Sequence, residues 1–252
     1  MNVLIIPEDF RQDQHVLRPI LTKMFAAIGK PNAKIQVCQD PLLGGVSEAL
    51  KWERIEVVIG MYPMVNVFLL VVDRDAKEGR RVALDRLTAK ASGLIGDSRA
   101  FLAENAWQEI EVWALAGIAT LPKGWDWNAV RAEANPKERY FAPYAASRGL
   151  LDEPGQGRTT LGREAAQNYT RVRSRCKEDV AQLESQLKDW LASVIGSGWD
   201  GHRLPDWIVA VHTPWSSCGV GLPVMWAPMV SVRKSMGWRP CWRQRESKGD
   251  RQ

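Results

Sequence analysis

Apolar positions along the chain follow two periods that take turns. Val3-Leu4-Ile5-Ile6 is an unbroken apolar run ahead of Pro7-Glu8-Asp9, which predicts a strand over 2–6. Val16, Leu17, Ile20, Leu21, Met24, Phe25 and Ile28 then recur at three and four residues, the stripe of an amphipathic helix, and Gly29 with Pro31 closes it. A second strand follows over 34–38, and the loop from Gln39 to Gly45 leads into a short amphipathic segment ending near Ile59. The longest apolar run, Val67-Phe68-Leu69-Leu70-Val71-Val72, is rich in β-branched and aromatic residues, as expected of a strand buried on both faces. After it come a helix over 77–91, with Val82, Leu84, Leu87 and Ala91 as its apolar members, and a short strand over 99–103. Residues 107–116 read as a helix, although a strand also fits.

Strand and helix in alternation predict an α/β domain whose mainly parallel sheet is flanked by helices. Beyond Gly117 the pattern is helical. Short helices are expected over 125–134 and 138–147, a loop around Pro154, Gly155 and Gly157, and one long amphipathic helix over 160–194 carried by Tyr169, Val172, Cys176, Val180, Leu183, Leu187, Trp190 and Leu191. The expected organisation is an α/β domain over 1–120, a helical C-terminal extension packed on it over 121–195, and an atypical tail over 196–252. That tail carries six of the twelve tryptophans, two of the three histidines and two of the four cysteines, with no sustained period of either kind. Such inconsistency between pattern and turn chemistry predicts a disordered segment, an altered reading frame or a fusion scar after about Ile195. The alternative is an aromatic surface for nucleic acid or a partner.

Composition changes the picture in only a few places. The net charge of +5 suggests nucleic acid until it is divided by position: residues 1–195 hold 26 Lys and Arg against 25 Asp and Glu, and residues 196–252 hold 8 against 4. The body is therefore close to neutral, and only local patches bear on a charged partner. Arg163, Arg171, Arg173, Arg175 and Lys177 form one such patch, but Glu164, Glu178, Asp179 and Glu184 dilute it, which favours a solvated helix face over a phosphate-binding one. Cys38, Cys176, Cys218 and Cys241 make no C-x-x-C pair, so neither a zinc knuckle nor a disulfide framework is expected. No apolar run has the length of a membrane span and no leader pattern opens the chain, so a cytoplasmic protein without membrane contact is expected.

Candidate chemistry gathers where predicted strands end. Asp73 and Asp75 follow the long apolar run, and alternation along an extended backbone would point both the same way from the carboxyl edge, where open α/β sheets place ligands. Two like charges so close repel, and a divalent cation is the usual remedy. Glu8 stands at a second carboxyl edge. Glu109 and Glu111 form a third acidic cluster; on a helix they would lie about 200° apart and could not share a site, whereas on a strand they could. Trp107 and Trp113 read as packing residues. The pair Gly44-Gly45 has room for a phosphate but lacks the G-x-G-x-x-G or G-K-[ST] context that would give it weight.

Glu8 after the first strand, Asp73-x-Asp75 after a later one, and the stretch Gln108-Glu109-Ile110-Glu111-Val112-Trp113-Ala114-Leu115-Ala116 resemble the three acidic motifs of Toprim-like domains. The similarity is to uncharacterised bacterial Toprim-related domains with an E-I-E-x-W-x-L-A signature and, more distantly, to the Toprim half of overcoming-lysogenization-defect nucleases; it covers roughly residues 1–195. Asp9 stands where the family has a glycine, and Gln12 where it has an acid, with Asp13 one place later. The resemblance implies a Toprim/Rossmann-like fold and a Mg²⁺- or Mn²⁺-dependent nuclease or phosphodiesterase acting on DNA or RNA, beside an ATPase partner in bacterial defence. It further implies that Asp73 and Asp75 are metal ligands and Glu8 a ligand or general base. Glu111 and Glu109 would complete a second metal position and Asp13 would be a further ligand; Lys137, in Asn135-Pro136-Lys137-Glu138, either lies over the site as a catalytic residue that stabilises developing charge or is a surface lysine. The alternative is a module that binds metal or nucleotide without cleaving, as a scaffold or sensor.

Overall fold

A computed structural model gives the fold of the chain, and the structure describes residues 1–41 and 43–197. Four strands, β1 (Asn2–Pro7), β2 (Lys34–Val37), β3 (Val67–Asp73) and β4 (Ala100–Ala106), form one sheet in the order β2-β1-β3-β4, and every pairing is parallel. Parallel neighbours need crossovers that cover the sheet, so the central strands are buried on both faces and read as continuous apolar runs rather than alternating ones. Residues of odd number in β1 and β3, such as Val3, Ile5, Val67 and Leu69, enter one core with Val16, Leu17, Ile20 and Trp113. Those of even number, such as Leu4, Ile6, Phe68 and Leu70, enter a second core with Ile55, Val58, Leu84 and Leu87. Helix α1 (Phe10–Ala27) thus covers one face, while α3 (Trp52–Met61) and α4 (Arg80–Ile95) cover the other; α2 (Val46–Ala49) is a single turn after the β2 loop. This is an α/β, Rossmann-like architecture.

The helical C-terminal part comprises α5 (Glu111–Ala116), α6 (Trp127–Ala132), α7 (Ala142–Ser147), α8 (Arg158–Gln167), α9 (Tyr169–Arg175) and α10 (Gln182–Ser197), with π-helical turns over Lys137–Phe141 and Lys177–Ala181. Helix α8 packs on α1 and α5. Two glycines allow this approach: a Cβ on Gly162 would stand 2.4 Å from the His15 carbonyl oxygen, and one on Gly117 would stand 2.3 Å from the Ala165 Cα. The single long helix expected over 160–194 is broken twice. Asn168 caps α8 and donates its side-chain amide to the Glu164 carbonyl, and Cys176 leaves helical geometry at φ −110°, ψ 68°. A straight helix of that length would run ~50 Å; the breaks fold it back onto the sheet, with the second π-helical turn and α10 against β4.

Three local expectations give way. The alternation drawn through Asp73 and Asp75 stops at Asp73, because β3 ends there and Asp75 has a left-handed φ of 51°. Strand β4 runs to Ala106 rather than Ala103, since its one buried acid, Glu104, finds Arg81 2.7 Å away. Helix α5 begins at Glu111 rather than at Trp107, so the 200° separation of Glu109 and Glu111 does not apply. The cause is Gln108, held at φ 71° with its carbonyl accepting from the main-chain N–H groups of Arg74 and Asp75 and its side chain accepting from that of Ala76. The atypical tail lies outside the described residues from 198 onward. Among the described residues, no helix is long and apolar enough to cross a membrane, and Cys38 and Cys176 are buried free thiols.

Candidate functional site

The strand order reverses between β1 and β3: the chain moves outward from β1 to β2 in one direction and then returns past β1 to β3 and β4 in the other. At such a switch point the crossovers leave on opposite faces, and the crevice past the carboxyl ends of the two strands is where open α/β sheets bind ligands. Glu8 follows β1 by one residue and Asp73 is the last residue of β3, so the fold places both at this crevice. Asp13 joins them from the first turn of α1. Asp9 caps that helix by accepting the Arg11 N–H, and Asp13 accepts the Asp9 N–H at 2.9 Å, which fixes its carboxylate at the helix start. Glu111 arrives from the first turn of α5.

Their charges act on one another. Burial raises Asp73 well above the ordinary carboxylate range, and the charges of Glu111, Asp13 and Glu8 push it further, against the Ile110 N–H that donates to its Oδ1 at 2.8 Å. Burial pushes Asp13 up to about 7, with the Asp9 N–H opposing and Glu111, Asp9 and Glu8 adding repulsion. Glu8 is raised by burial and then by Asp75, while the main-chain groups of Val46 and Asp73 and the Arg80 charge pull it back. Burial pushes Glu109 up to about 7 as well, countered by the Lys137 N–H, which donates to it at 2.7 Å. Asp73 is therefore within electrostatic reach of Glu111, Asp13 and Glu8, Asp13 is within reach of Glu111 and Glu8, and Glu109 adjoins Glu111.

Asp75 takes a different place from that expected. It is exposed, accepts a 2.9 Å ion pair from the buried Arg80, and touches the group only by its repulsion of Glu8. Lys137 donates its main-chain N–H to Glu109, and its charge also acts on that carboxylate. Four further contributors are not among the expected ligands. Arg158, buried at 4% exposure, donates through Nε and Nη2 to Glu111 Oε1 and through Nη1 to Gln12 and the Gly155 carbonyl. Arg80 holds Asp75, Gln108 clamps the β3–α4 loop, and the turn at Gly45, with φ 109°, presents the Val46 main chain to Glu8. The only sequence signal for Arg158 is an arginine directly after a Gly-x-Gly turn, a pattern shared by many surface loops.

The donor set consists of carboxylate oxygens, which suits a hard cation such as Mg²⁺ or Mn²⁺ rather than a thiophilic one. Glu8 Oε2 is buried without a hydrogen-bond partner, an acceptor atom of the kind a cation satisfies. Among the described residues, no three Asp, Glu, His or Cys side chains are gathered as a ready-made cage. Mg²⁺ does not require one, because it keeps several waters and is commonly held by one or two carboxylates plus substrate phosphates. Comparison with family models, curated proteins and solved structures finds no match for this chain.

Proposed function

We propose that the chain is a Mg²⁺- or Mn²⁺-dependent phosphodiester hydrolase acting on DNA or RNA, with Toprim-like use of its acids. The observation that carries this reading is the gathering of acids at the switch point, where the charges of Glu111, Asp13 and Glu8 raise the proton affinity of Asp73 and those of Glu111 and Glu8 raise that of Asp13. Repulsion of that kind is relieved by protons or by a cation, and a phosphate binds beside carboxylates only when a cation lies between them. Glu8 and Asp73 would hold the ion, with Asp13 close by; when bound, it supplies charge neutralisation to the non-bridging phosphate oxygens. Glu8, with its raised proton affinity, accepts the proton of an attacking water more readily than an ordinary glutamate does. The Ile110 N–H fixes the orientation of Asp73, and Arg158 fixes that of Glu111.

A specific observation favours a second reading, a module that binds without cleaving. Arg158 on Glu111 and Arg80 on Asp75 already answer two of the acids from within the protein. Cleavage separates the two readings. Purified protein with Mg²⁺ or Mn²⁺ is expected to nick plasmid or degrade single strands, and Glu8→Gln and Asp73→Asn to lose at least about 100-fold, the scale of one acid–base or electrostatic contribution. Asparagine is the informative replacement at Asp73 because it keeps an acceptor for the Ile110 N–H. Wild-type rates in both variants would contradict the hydrolase; metal binding without cleavage would establish the second reading.

A further inference from the structure

Beyond the end of β4 lies a cleft of about 460 Å³, walled by Trp107, Trp127, Arg131, Ser174, Arg175 and Lys177. Its volume is in the range of ligand clefts, ~300–1,000 Å³. Both tryptophans are half-buried, and both already carry a cation on the ring: Arg74 stands 4.0 Å and Arg131 5.4 Å from the Trp107 ring centroid, and Arg175 stands 5.3 Å from that of Trp127. The charge around them is unbalanced. Arg131 is neutralised by Glu178 and Asp179. Arg175 gives its Nη1 to the main-chain carbonyls of Ala116 and Ile118, which leaves its charge without a carboxylate partner among the described residues. Arg171 acts on it as a like charge, and Lys177 stands exposed at the rim.

We propose that this cleft binds single-stranded nucleic acid, with a base stacked on Trp127 and the neighbouring phosphates against Arg175 and Lys177. Aromatic faces next to cations that Glu178 answers only in part are the chemistry of such sites: every base has a π-face and every linkage an anion. An acidic peptide would use the cations and leave the tryptophans idle, and an apolar ligand would do the reverse. The position of the cleft extends the proposed hydrolase reading, on which its role as a substrate guide rests. Trp107 is the first residue past β4, Gln108 next to it clamps the loop that carries Arg74, and Arg74 directly follows Asp73. A strand lying in the cleft is thereby led to the acidic edge.

The test is fluorescence anisotropy with the full chain in EDTA, using labelled 12-mers of oligo-dU, oligo-U and a DNA duplex. Either single strand is expected to bind more tightly than the duplex, and the tighter of the two identifies the sugar. Trp127→Ala should weaken single-strand binding about 5- to 100-fold, and Trp127→Phe, which keeps a stacking face, should retain most of it. Lys177→Gln, at an exposed position that folding does not depend on, should reduce the salt slope by about 0.7, the value for one phosphate contact on a single strand. Wild-type affinity in both Trp127→Ala and Lys177→Gln, no binding of either single strand, or equal affinity for duplex would overturn the proposal. Because binding is read without divalent cation, failure of the hydrolase reading appears separately, as intact oligonucleotide binding with no cleavage when Mg²⁺ is added.

Discussion

Glu111 shows how a single contact can set what an acidic site does. Its carboxylate and the Arg158 guanidinium are 6% and 5% exposed, so the pair lies in a medium where either charge alone is costly. Removal of Arg158 leaves an uncompensated carboxylate among Asp73, Asp13 and Glu109. Arg158→Met should therefore lower unfolding stability by about 3–5 kcal/mol in urea titrations, and adding Glu111→Gln to it should recover a large part of the loss. A cost below about 1 kcal/mol would mean that Glu111 meets solvent and does not belong to the buried group. At this scale the sequence was partly legible. Glu8 and Asp73 could be picked out as acids at element ends, and Asp13 and Glu111 through the resemblance, whereas the roles of Arg158, Arg80 and Gln108 could not be read, because they depend on contacts such as the one between residues 111 and 158. Asp75 was misplaced for a local reason: period-two reasoning assumes extended backbone, and the chain turns left-handed there.

Between elements, packing distance decides the sign of small substitutions. Gly162 and Gly93 both lie inside helices, where alanine is favoured over glycine by up to about 1 kcal/mol. A Cβ on Gly93 meets nothing within 4 Å, whereas one on Gly162 meets the His15 main chain. Gly93→Ala should therefore stabilise by about 0.5–1 kcal/mol, and Gly162→Ala should destabilise by about 1–3 kcal/mol because backbone cannot move aside as a side chain can. Thermal melts check both, and stabilisation by Gly162→Ala would contradict the close approach of α8 to α1. The strand runs and the α1 stripe were readable because each buries a face of regular period. The breaks at Asn168 and Cys176 were not, since apolar spacing of three and four residues continues across them and only tertiary docking shows that the helix must fold back.

Across the whole molecule the raised carboxyls link stability to pH and to metal. Asp13 and Glu109 move up to about 7, and Asp73 and Glu8 are raised in the same direction. Each holds its proton more tightly folded than unfolded, so its stabilising contribution is complete below the unfolded value near ~4 and is lost as pH rises through the folded one. In EDTA the melting temperature should therefore carry a downward contribution from these acids between about pH 4 and 7. Glu164 and Glu184, lowered by their Arg and Lys partners, and Glu178, lowered by its own main-chain N–H and then by Arg131, act oppositely and lose their contribution as pH falls below ~4. Mg²⁺ replaces the missing protons, so the gap between melts with and without it should widen from about pH 5 to 8; a constant gap would place the ion elsewhere.

The proposed hydrolase depends on a divalent cation at this acidic edge, and calorimetric titration of Mn²⁺ into the full chain near pH 7 tests that most directly. Asp13, pushed up to about 7 beside the proposed ion position, must give up its proton as the ion enters, so titrations in two buffers of different ionisation enthalpy should reveal net proton release. Asp73→Asn, which keeps the hydrogen bond from Ile110, should weaken binding by more than about tenfold, or ~1.4 kcal/mol. Mn²⁺ binding accompanied by proton release and lost in Asp73→Asn is the predicted result; no binding heat, or unchanged affinity in that variant, would contradict it.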